Sequence, residues 1–268
     1  MVAGMALSGA HAEAGNKAGK ILVVVTGVNS LEMREGVKHP TGYFLPELTG
    51  PVLALKDAGY EIDFATPNGV RPVMDKISDS VKWFSSAEEY RRAVDFVLAE
   101  PQMQKPKTLE SISNRKLEKY RGVFFPGGHG PMEDLYKNAQ VGRILNHFHA
   151  TGKPTVLICH GPAALLAAFD PMTHQFIYAG YKMTAFSTTE EQLEETQGAL
   201  DGHVKFYLED ALHQAGAEIS VAEPWHSNVI VDRELITGQN PTSEAALTSE
   251  FLRALKQGLK QAFNQERK

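Results

Sequence analysis

From Lys20 onward, short apolar runs alternate with amphipathic stretches. Residues 20–26 (KILVVVT) hold a run of aliphatic, mostly β-branched residues, the pattern of a strand buried on both faces. Residues 45–58 carry apolar positions at helical spacing, and Gly59 is placed to end that helix. Further strands are predicted at 60–65 (YEIDFA), 122–126 (GVFFP) and 155–158 (TVLI), with a helix over 141–150 between the last two. Later strands fall at 218–222 and 228–236, the second turning as a hairpin near Asp232-Arg233. Leu247, Phe251, Leu252, Leu255, Leu259 and Phe263 then draw an apolar stripe along a terminal helix. Strands alternating with helices imply crossover connections, hence an α/β fold with a parallel sheet covered on both faces.

The connection over 67–121 is unusually long. It holds a helix announced by a capping box, Ser86-x-x-Glu89, with Tyr90, Ala93, Val94, Val97 and Leu98 on one face. Its apolar residues are too few for a core of its own, so it is expected to cap a cleft. Residues 20–268 read as a single domain, because no repeat, low-complexity block or Pro-rich linker divides them. Residues 1–19 are Ala- and Gly-rich and read either as a flexible tail or as the remnant of a secretory signal ending at Ala10-His11-Ala12. Cytoplasm and periplasm both stay open.

The composition narrows the chemistry. A net charge of −5 over 268 residues draws the chain neither to nucleic acid nor to anionic lipid. No apolar run reaches the ~18 residues of a membrane span. The single cysteine, Cys159, rules out an internal disulfide and a cysteine-rich zinc cluster, and any thiol chemistry must use that residue.

Cys159 lies in PTVLICHGPAALLAA, where a buried strand meets a turn and Gly161-Pro162 opens a helix. This is a nucleophile elbow with a thiol at its tip. A helix dipole behind it would favour the thiolate, and His160 supplies a neighbouring proton acceptor. A second strand ends in Pro126-Gly127-Gly128-His129-Gly130, whose glycines let backbone N–H groups approach a ligand as an oxyanion hole requires. In this turn His129 is a pocket candidate more through its backbone than through its ring. Trp225 and His226 are further pocket candidates. His39, His174, His203 and His213 read as surface residues, and His147 and His149, two apart on a helix, face different ways and form no metal pair.

The PGGHG turn, the ICHGPAAL elbow and the later LITGQNP segment resemble the class I glutamine amidotransferase-like superfamily, PfpI group. Within it the chain is most similar to the chaperone-type glyoxalase III, or D-lactate dehydratase, branch, over about residues 20–263. The resemblance implies a flavodoxin-like sheet, a nucleophile at Cys159 with His160 beside it, and a protonated acid partner at Glu47, which stands in Thr41-Gly42-Tyr43-Phe44-Leu45-Pro46-Glu47. A carboxyl buried beside the sulfur would have a raised pKa. Read from the sequence alone, Glu47 is equally a first-turn residue complementing the helix dipole. The His-x-Glu pair of true amidotransferases is missing after Cys159, which disfavours glutamine hydrolysis. The metal-binding histidine that some glyoxalase III members carry after the glutamate has no match in Pro51-Val-Leu-Ala54-Leu55, so no metal is expected.

The resemblance implies a cofactor-independent glyoxalase acting on a small 2-oxoaldehyde through a cysteine thiolate, with oxyanion contacts at Gly127, Gly128 and His129. A thiol amidase or peptidase, and a non-enzymatic holdase or redox-sensing protein, are the alternatives. Homodimer formation is expected from the same resemblance.

Overall fold

The computed structural model describes residues 18–265, with side chains to residue 258. The Ala10-His11-Ala12 signature and the side chains of Leu259 and Phe263 lie outside the described residues. Seven strands form the main sheet: β1 (Lys20–Val24), β2 (Glu61–Thr66), β3 (Lys107–Thr108), β4 (Tyr120–Phe125), β5 (Thr155–Ile158), β6 (Val229–Asp232) and β7 (Leu235–Gly238). Their order is β6-β7-β5-β4-β1-β2-β3. All neighbours are parallel except the β6–β7 hairpin. This is the mostly parallel α/β sheet that the alternating pattern predicts, in the flavodoxin-like form that the resemblance implies.

Successive residues of β1 serve opposite faces, as a strand period of two demands. Leu22 and Val24 join Val123, Phe125 and Leu157 beneath helices α3 (Ala139–Thr151) and α5 (Leu208–Ala215). Ile21 and Val23 join Phe64, Phe124 and Ile158 against α1 (Leu45–Asp57), α2 (Ala87–Ala99) and α6 (Glu244–Gln265). Helix α4 (Thr188–Thr196) stands beyond the sheet's carboxyl end, opened by a capping box between Ser187 and Glu190. Among the described residues no helix is long and apolar enough to cross a membrane.

Element boundaries differ from the sequence pattern in three places that matter. The segment after Cys159, Gly161–Ala167, is a 3-10 helix, not an α-helix. The strand expected at 218–222 shrinks to Glu218–Ile219, paired with Lys182–Met183 outside the main sheet. At Ser86 only half of the expected box forms: Ser86 Oγ accepts the Glu89 N–H, while the Glu89 carboxylate turns to Ser85.

The long connection folds back over the sheet's carboxyl edge. Tyr43 N–H donates to Val73 O and Asp75 N–H to Tyr43 O, both at 2.9 Å. Thr41 Oγ1 donates to Asp75 at 2.9 Å. Gly42 permits this approach, since a Cβ there would stand 1.9 Å from Val73 O. The Thr-Gly-aromatic signature is therefore the seam where the covering segment is stitched down.

Candidate active site

Cys159 sits at the carboxyl end of β5 with φ 60°, a left-handed backbone that a non-glycine residue adopts only when its surroundings hold it. Both sides hold it here: its N–H donates to Gly238 O and its carbonyl accepts from Phe186 N–H, each at 2.9 Å. The strained bend sets the cysteine, itself part of the core, in the wall of a small pocket.

Three side chains form a line. Cys159 Sγ lies 3.3 Å from His160 Nδ1. His160 Nε2 lies 2.8 Å from Glu191 Oε2, on the first turn of α4. His160 and Glu191 are each 1% exposed, so the pair acts away from solvent screening. The other Glu191 oxygen, Oε1, lies 2.9 Å from His129 Nε2.

Burial alone would raise Glu191, but the two histidines outweigh it and hold its carboxylate well below the usual range. Burial likewise opposes a charge on His129, yet Glu191, then Glu194, raise it to about 9. His160 is lowered, first by burial and then by the neighbouring His129. At neutral pH the array is a neutral imidazole beside the thiol, a carboxylate behind it, and an imidazolium on the far side.

Glu47 also stands beside the sulfur, completely buried in α1. Gly127 is wedged between the two: a Cβ there would lie 2.4 Å from Glu47 Oε2 and 2.6 Å from Cys159 Cβ. Burial raises Glu47 to about 8, so it is protonated at neutral pH. Neither oxygen has an aligned hydrogen-bond partner at rest, although the thiol is close enough to act on it.

Burial pushes the Cys159 thiol up, and Glu47 and Glu194 push the same way, against the Gly128 N–H. The expectation of a resting thiolate is thus corrected. The segment behind the cysteine is a 3-10 stretch with little macrodipole to offer, and the sulfur is buried. A thiol of this kind needs a base, and His160 is the base within reach.

Aromatic walls enclose the pocket. Phe44 and Trp83 meet edge to face at 5.1 Å, and Phe186 and Trp225 at 5.7 Å. Trp83 reaches in from the covering segment and is fastened by its Nε1–H to Ile77 O at 2.8 Å. The free space is about 40 Å³, room for a few heavy atoms. A larger open groove of about 540 Å³, bordered by Arg143, His147 and Phe169, is lined by no cysteine, serine or threonine.

The structure brings Cys159, His160, Glu47, Gly127, Gly128 and His129 to one place, and Trp225 lines the same pocket. His226 lies outside the lining: it is exposed, and its ring turns to the Pro224 carbonyl at 3.1 Å. His39 is not a surface residue; it is 7% exposed and pairs with Asp201 at 3.0 Å. His129 contributes its ring as well as its backbone.

Sequence reasoning missed Glu191. The only local sign was the Ser187-Thr-Thr-Glu190 start, which marks a helix and says nothing about a histidine thirty-one residues earlier. It also missed Glu190, which is fully buried and accepts five hydrogen bonds: from Ser187 N and Oγ, Trp225 N, Gln239 Nε2 and Asn240 Nδ2. The LITGQNP segment thereby gains a physical purpose: its two amides tie β7 to the first turn of α4. His129, His160 and Glu191 offer ligand atoms within 4.8 Å of one another. Those atoms already bond within the group, Glu191 to both histidines, so the set reads as a proton-handling array.

Comparison with known proteins agrees with this architecture. The model of the DJ-1/PfpI family matches residues 41–254. The protein/nucleic acid deglycase HchA of Pseudomonas aeruginosa is 28% identical over 229 residues, 83% of this chain and 76% of that protein. The glutathione-independent glyoxalase HSP31 of Saccharomyces cerevisiae is 27% identical over 241 residues, covering 88% and 98%. The structure of the Francisella tularensis rapid encystment protein REP24 superposes with a TM-score of 0.75 at 29% identity, covering 88% of this chain and 99% of that one.

Proposed function

The chain belongs to the DJ-1/PfpI family, and on that premise we propose that it is a glyoxalase of the glutathione-independent kind, converting a small 2-oxoaldehyde such as methylglyoxal to the 2-hydroxy acid. The observation that carries this reading is a thiol–imidazole–carboxylate line opening into a cavity of about 40 Å³, which suits a substrate of a few heavy atoms.

His160 takes the proton from Cys159 as the sulfur adds to the aldehyde carbon and passes it to the aldehyde oxygen, giving a hemithioacetal and leaving the imidazole neutral again. The Gly128 N–H, already directed at the sulfur, is placed to stabilise the oxygen that gains charge. His160 then carries the C1 proton to C2 through an enediol, leaving a thioester of the hydroxy acid. Glu191 stabilises the imidazolium whenever it forms, and the protonated Glu47 offers an O–H beside the sulfur. Water hydrolyses the thioester, releasing the acid and restoring the thiol; the net change is addition of one water.

The same triad favours a second reading, hydrolysis of an amide or of a carbonyl adduct borne on a larger molecule, in line with the deglycase name of one relative. Separate incubations with methylglyoxal, with glycated amino acids and with short peptides distinguish the two. Turnover confined to the free aldehyde supports the first; turnover of the larger substrates alone would replace it with the second.

A further inference from the structure

Glu191 divides its two oxygens between two histidines, whereas a triad carboxylate ordinarily serves one. The second histidine, His129, is only 8% exposed and stacks on His160 with ring centroids 4.0 Å apart and planes 35° from parallel. Its Nε2 also lies 3.5 Å from Glu194. It touches every member of the array except the sulfur.

We propose that His129 is a positioning residue for His160: it fixes the Glu191 carboxylate so that one oxygen faces His160, and its charge sets the pH range over which His160 works as a base. This rests on the thiol–imidazole chemistry proposed above.

Charged and titratable groups reach His129 from every element packed on it. Glu191 and Glu194 come from α4, Asp75 from the covering segment, and Glu47 from α1. His39 approaches from the hairpin formed by Ser30–Glu32 and Lys38–Pro40, at 6.5 Å between ring centroids, and His160 from the elbow. The surrounding carboxylates favour the proton on His129, and a cation there repels a second proton on His160. Removing His129 ends that repulsion and frees a Glu191 oxygen. Both changes raise the proton affinity of His160, so the base is lost to protonation at a higher pH.

His129→Gln keeps an N–H able to reach Glu191 but carries no charge; His129→Asn removes both and carries the same test if the longer side chain does not fold. For each, the pH dependence of kcat/KM for methylglyoxal and of Cys159 alkylation by iodoacetamide is measured, with circular dichroism as the check on folding. The acid limb of both profiles is expected to move up by about one pH unit, with kcat changing more than KM. Limbs that stay at the wild-type position, with activity lowered evenly at every pH, would overturn the assignment. Alkylation needs no turnover, so a shifted alkylation profile in a protein inert to methylglyoxal would retain the role of His129 and reject the glyoxalase reading instead.

Discussion

His160 and Glu191 meet at 2.8 Å although thirty-one residues separate them, and both are buried almost completely. The contact fixes the imidazole so that its other nitrogen, Nδ1, faces the Cys159 sulfur. It also supplies the negative charge that an imidazolium needs once the thiol has given up its proton.

Replacing Glu191 with Gln should therefore cost far more than one hydrogen bond. The amide presents an oxygen or an N–H2 to each histidine but no charge, so His160 loses its counter-ion and its fixed tautomer. The expected result is a fall in kcat of about a hundredfold or more with KM little changed. Steady-state kinetics on methylglyoxal measure it, and a drop of only two- to threefold would deny Glu191 its place in the array.

Glu47 makes stability depend on pH in a definite direction. Its folded pKa, raised by burial, is about 8 against an ordinary value of 4.5, so folding takes up a proton between those limits. Stability conferred by the neutral acid is intact below pH 4.5 and declines as pH rises towards 8, by about 1.4 kcal/mol per unit for this group alone. His129 acts in the same sense higher up: its folded pKa of about 9 means its contribution is complete below its usual 6.5 and lost through 9. Glu47→Gln is expected to unfold at a higher temperature than wild type at pH 8 and to lose that advantage near pH 5. Parallel thermal melts at the two pH values check it.

Glu190 is structural support for the pocket. Glu190→Ala would remove the acceptor of five hydrogen bonds, four of them buried, and release the Trp225 backbone, which holds φ 63° against the pocket. A loss of about 3 kcal/mol or more is expected, read from urea denaturation. A change in Trp225 emission in the folded protein should accompany it.

Much of this was legible in the chain. The aliphatic runs of β1, β4 and β5 announce a parallel sheet because nothing else buries such blocks on both faces. Cys159 and His160 are neighbours in sequence, and Gly161-Pro162 after a buried strand marks the turn that sets them in the wall of the pocket. Contacts assembled by tertiary folding were not legible. Glu190 and Glu191 look like ordinary acids on a helix's first turn until the fold carries α4 over the elbow. The His129 ring could not be assigned a direction from a glycine turn. Nor could the length of the helix after Cys159 be read from Ala and Leu residues that suit an α-helix; Ala168 leaves helical geometry at ψ 81°, and the run ends as a short 3-10 stretch.

The most direct test of the account is lactate formation from methylglyoxal without glutathione, by wild type and by Cys159→Ala side by side, with circular dichroism showing both folded. The account predicts steady turnover by wild type and none above background for the variant, because no other thiol exists in the chain. Lactate produced by Cys159→Ala at a comparable rate would contradict it.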